Sequence, residues 1–191
     1  QLMKTLIKSL ASLGLLIFGT QAQALVITPS DCSAMGGSIT CEAGIAGNSN
    51  SQSDIDTWLA ANYPTISELY KQDVGAASDS GSLAGSYETT FSNTSTDPTD
   101  ADIDYISGDS VACPTCFLLV KDGRQEPANY WFDLSSVWNG TDTIELRNFW
   151  PNQGAISHVS LYGVGTPAPE PSMIGLLAIG LIGAAVARRK I

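Results

Sequence analysis

Basic residues are scarce in this 191-residue chain: nine Lys and Arg stand against nineteen Asp and Glu. Lys4, Lys8, Arg188, Arg189 and Lys190 lie at the two ends, so the body between them keeps only Lys71, Lys121, Arg124 and Arg147. All the acids fall between Asp31 and Glu170. Such a body repels phosphate backbones and excludes nucleic acid as a partner. It stays soluble and open to divalent cations. Histidine is scarcer still, with His158 alone. A hydrolase needs a nucleophile, a base and an orienting group, and any such set has to use that one imidazole. No serine sits in a Gly-x-Ser-x-Gly context. Strand alternation puts His158 on a face with Ile156 and Tyr162, which reads as a structural histidine bonded within a sheet. Internal repeats and βα alternation are also missing, which argues against a parallel α/β sheet. The sequence reads as non-enzymatic.

Long apolar runs are confined to the ends. At the N-terminus Lys4 and Lys8 precede an apolar stretch at 10–18, and Ala22-Gln23-Ala24 forms a small-x-small cleavage site. Residues 1–24 therefore read as a secretory signal peptide, and the mature chain is expected to begin near Leu25. At the C-terminus Pro167, Pro169 and Pro171 flank Glu170; an uncharged apolar run follows at 173–187, and Arg188-Arg189-Lys190 closes it. From Ser172 this run sits at the short end of the about 17–25 residues that a membrane helix needs. The basic cluster fits a stop on the cytoplasmic side. The sequence thus predicts a transmembrane helix over 172–187.

Pro169-Glu170-Pro171, the apolar helix and Arg188-Arg189-Lys190, in that order, resemble the PEP-CTERM sorting signal of exported bacterial surface proteins. The resemblance implies recognition by an exosortase, a membrane cysteine transpeptidase that cleaves near the Pro-Glu-Pro. It implies transit through the inner membrane, then a cell-surface or extracellular location. Leu118-Leu119-Val120-Lys121-Asp122-Gly123, Trp138-Asn139-Gly140-Thr141 and Phe149-Trp150-Pro151-Asn152-Gln153-Gly154-Ala155-Ile156-Ser157-His158-Val159 also resemble a body module common among PEP-CTERM proteins. That module transfers no catalytic residue.

Between the signals, residues 25–166 form one body. One helical pattern occurs, with Ser53 or Asp54 as its cap and Ile55, Trp58 and Leu59 on one face. After Pro64, Ile66, Leu69 and Tyr70 give a second short apolar face. Strands are expected at 25–27, 86–92, 103–106, 117–121, 130–134, 143–149 and 155–164, with Asn139-Gly140 as a hairpin-type turn. The fold class is mainly β: an antiparallel sandwich or jelly roll with one or two short helices.

Four cysteines allow three pairings. Export favours disulfides, and Cys32–Cys41 and Cys113–Cys116 each close a short local loop. A redox Cys-x-x-C or a four-cysteine zinc site are the rivals. Asp100, Asp102 and Asp104 match the first, third and fifth positions of a calcium loop. Tyr105 then stands where Gly is needed and Val111 where Glu is needed. A solvated strand face is the alternative. Trp131, Trp138 and Trp150 are either sugar-stacking residues on an open face or core residues. Two functions follow. One is a non-enzymatic surface or matrix component handled by signal peptidase and exosortase and associated with exopolysaccharide, as the resemblance implies. The other is a carbohydrate- or calcium-binding adhesin module.

Overall fold

A computed structural model describes residues 23–32, 39–92, 97–151 and 154–166. Both predicted signals fall outside these residues, apart from Gln23 and Ala24. That covers Ala22, Pro169-Glu170-Pro171, the 172–187 helix and Arg188-Arg189-Lys190. Among the described residues no helix is long and apolar enough to cross a membrane.

The body is mainly β, as expected. Its strands are β1 (Leu25–Ile27), β2 (Thr40–Ala43), β3 (Ser67–Asp73), β4 (Tyr87–Ser92), β5 (Asp100–Tyr105), β6 (Ser110–Lys121), β7 (Asn129–Asp133), β8 (Ile144–Leu146) and β9 (His158–Thr166). A single turn, α1 (Ile45–Asn48), and the helix α2 (Gln52–Asn62) lie between β2 and β3. One sheet has the order β1-β8-β5-β4, the other β2-β7-β6-β9-β3. All strand pairs run antiparallel except β1 with β8.

The five-stranded sheet is buried on both faces, which explains why 117–120 reads as an unbroken apolar run. Leu118, Val120, Phe132 and Leu161 face the four-stranded sheet and pack with Ile103, Ile144 and Leu146. Phe117, Leu119, Trp131 and Tyr162 face the other way and pack against Ile55 and Leu59 of α2. The molecule is therefore layered: sheet, sheet, helix. The helix starts earlier than the expected Ser53 or Asp54 cap: Ser51 is its N-cap, without a side-chain cap bond, and Ser53 and Asp54 fall in the first turn. Ser49 Oγ donates to Asp54 at 2.6 Å near the start, and the helix stops at Tyr63 before Pro64. Ile55 and Leu59 lie one turn apart on the buried face.

Other sequence expectations change as well. The apolar face after Pro64 is a strand: a bulge between Glu68 and Tyr70 turns the consecutive residues Leu69 and Tyr70 both inward, which imitates helical spacing. Asn139-Gly140 does turn the chain, but not within a hairpin, because β7 and β8 belong to different sheets. Asn139 Oδ1 accepts from the backbone N–H groups of Thr141 and Asp142 at 2.9 and 2.8 Å, the Asx arrangement that makes such a turn.

Candidate functional site

Each predicted site is first a question of what its residues touch. Cys32–Cys41 and Cys113–Cys116 are both disulfides, in the expected local pairing. The second closes a bulge inside β6, between the pairs Ala112↔Val164 and Cys116↔Gly163. No helix begins there, so the thiolate-stabilising setting of a redox Cys-x-x-C is missing. The zinc reading fails because all four sulfurs are bonded in pairs.

Asp100, Asp102 and Asp104 alternate with the buried Ala101 and Ile103, so all three stand on the outer face of β5. Each has its own protein partner. Asn148 N–H donates to Asp100 at 2.7 Å, and Thr143 Oγ1 donates to Asp104 at 2.7 Å. Asp102 meets the Arg147 guanidinium at 2.6 Å, and that guanidinium also reaches Glu145 at 2.9 Å. The cation between these carboxylates is a side chain of the protein. Among the described residues no group of three or more His, Cys, Asp and Glu is placed to hold a metal ion. The calcium-loop reading gives way to an ion-pair network.

The sugar-stacking reading of Trp131, Trp138 and Trp150 is overturned by burial. They are 2%, 6% and 8% exposed, and they divide between two cores. Trp131 stacks on Phe117 with ring centroids 4.9 Å apart beneath α2. Trp138 and Trp150 sit in the inter-sheet core. They donate from Nε1 to Asp142 O at 2.7 Å and to Pro127 O at 3.0 Å.

Sequence reasoning missed a row of polar side chains on the helix-facing side of the five-stranded sheet. Register aligns Asn129, Lys121, His158 and Asp73 across β7, β6, β9 and β3. Asn129 is fully buried, and His158 and Lys121 are 5% and 8% exposed. Burial, with the Lys71 and Lys121 ammonium groups, holds the His158 imidazole down at about 3 against the opposing pull of Asp73. His158 is thus neutral, with Nδ1 3.5 Å from Asp73 Oδ1. Burial and Lys71 lower the Lys121 amine, while Asp122 and Asp73 oppose them. Asn129 Nδ2 donates to Ser49 O at 2.9 Å and Ile45 O at 3.4 Å. Its Oδ1, His158 Nε2 and Trp131 Nε1 are buried without a hydrogen-bond partner among the described residues. In the sequence only Lys121 and His158 hinted at this row, as polar residues inside apolar strands.

At the start of the described body, Ala24 is exposed and Leu25 enters β1, its N–H donating to Thr143 O at 2.8 Å. At the other end β9 stops at Thr166. The next residues, 167–190, match the family model of the PEP-CTERM protein-sorting motif. The chain carries a PEP-CTERM protein-sorting motif. This match bears out the resemblance of the tail to the sorting signal and supports an exported protein in transit through the membrane, processed by the membrane protein exosortase. No curated protein and no solved structure matches the chain.

Proposed function

We propose that this PEP-CTERM protein is a non-enzymatic component of the cell surface or extracellular matrix. It is delivered by an N-terminal signal peptide and released or attached by exosortase. The sorting motif at 167–190 carries the reading. Exopolysaccharide is the proposed environment, and signal peptidase the proposed second processing partner. The body supports a structural role. Its aromatic residues serve two cores, and its only histidine is buried against the sheet.

The physical case for the tail has three parts. An apolar segment transfers favourably into a bilayer at about 25 cal/mol per Å². The basic cluster holds its end in the cytoplasm. Pro167, Pro169 and Pro171 disfavour helix at the residues before them, which suits a segment that a peptidase must grip. The test replaces Pro169-Glu170-Pro171 by Ala and follows the chain in cells that make an exosortase. Insertion should persist while release stalls, with full-length chain accumulating in the membrane. Processing as fast as the parent would leave the tail a simple anchor and overturn the proposal.

A further inference from the structure

We propose that Lys121 and Asn129 are joined by an amide cross-link between strands β6 and β7. The two are direct partners in the β6–β7 ladder. Asp122 N–H donates to Ala128 O, and Leu134 N–H to Cys116 O, which makes those the hydrogen-bonded positions of the ladder. Lys121 and Asn129 fall between them, in the closer pair type, with Cα atoms about 4.5 Å apart. Both side chains point to the helix-covered face and both are buried.

Each group there has the character the condensation needs. Lys121 is 8% exposed as a residue, so the stem that carries its amine lies within the sheet's covered face. Burial favours its neutral, nucleophilic form. The Asn129 carboxamide is held by its nitrogen, which donates to the Ser49 and Ile45 carbonyls. Its Oδ1 is free to take on charge. Trp131 lies two residues along on the same face of β7, and its Nε1–H is likewise buried without a partner. On the far side of Lys121 stands His158, neutral and with Nε2 unpartnered. Asp73 orients His158 from behind.

The reaction balances without any added reagent. Lys121 Nζ attacks Asn129 Cγ, so the Nζ–Cγ bond forms. The proton shed by Nζ passes to His158 Nε2 and from there to the departing nitrogen. The Cγ–Nδ2 bond breaks and ammonia leaves beside the Ser49 and Ile45 carbonyls. Nothing is oxidised or reduced.

The test is tandem mass spectrometry of the exported, oxidised protein after tryptic digestion. Linkage blocks cleavage after Lys121, so the peptide 72–124 should be found joined to 125–147, lighter than the pair by one ammonia. A succinimide at Asn139-Gly140 gives the same mass loss but leaves cleavage after Lys121 intact, so the two are distinguished. Lys121→Arg and Asn129→Ala should abolish the linked pair. His158→Gln, in protein whose circular dichroism matches the parent, should slow linkage by about 10²-fold or more, the usual contribution of a positioned base. Peptides ending at Lys121 in place of the linked pair, in folded parent protein, would overturn the proposal. So would linkage as fast in His158→Gln as in the parent, which would remove the base from the scheme.

Discussion

Gly140 shows how much one position can carry. Its φ is +87°, and a Cβ there would meet Val111 O at 2.3 Å. Its carbonyl accepts from Tyr87 OH at 2.7 Å, and the same hydroxyl accepts from Val111 N–H at 2.8 Å. The tyrosine thus ties the crossover turn to β6 through the middle of the core. Gly140→Ala should lower the stability of the body by about 1–3 kcal/mol, read as a shift in the urea midpoint at constant slope. His158 gives a second residue-scale prediction. Its ordinary value of 6.5 applies in the unfolded chain and about 3 in the folded one. Below pH 6.5 the unfolded chain takes up a proton that the folded chain refuses. Stability is therefore complete above pH 6.5 and falls between pH 6.5 and about 3, at up to about 1.4 kcal/mol per pH unit. His158→Gln should flatten that part of the profile in acid denaturation. An unchanged slope in the variant would assign the acid sensitivity to the carboxylates.

At the scale of elements, α2 is held through Trp131, which meets Trp58 edge-on at 6.0 Å and Tyr63 at 5.6 Å. Trp131→Ala should cost about 3–5 kcal/mol, and amide exchange should rise first in α2. The two disulfides span short loops. Free-thiol labelling of the unreduced, unfolded protein should find none, and replacing either pair by serine should cost about 2–3 kcal/mol. Strands with one buried face were legible in the sequence: β4 shows period-two alternation, while β5 was expected only from Ile103 because its first half read as an acidic run. Other features were not legible, for physical reasons. A bulge makes Leu69 and Tyr70 look helical. A turn signal such as Asn139-Gly140 fixes a reversal but not the sheet in which the next strand pairs. Residue type alone does not say which side of a sheet is covered, so the three tryptophans stayed ambiguous. Lys121 and His158 are distant in sequence, and only the register of β6 with β9 makes them neighbours.

At the scale of the whole molecule, the regular structure of the body runs from Leu25 to Thr166. Cleavage after Ala24 would convert the Leu25 N–H into an amino group that still donates to Thr143 O, so trimming keeps this bond of β1. N-terminal sequencing of secreted material should begin at Leu25; an intact 1–24 segment would refute the signal-peptide reading. The sorting motif begins one residue past β9. That strand lies inside the five-stranded sheet, bonded to β6 along one side and β3 along the other. Any tension arriving through the C-terminal segment therefore enters the body along the axis of a strand held by β6 through Thr166 and by β3 as far as Gly163. It loads two ladders of hydrogen bonds in shear, all at once, where an edge strand would peel one bond at a time.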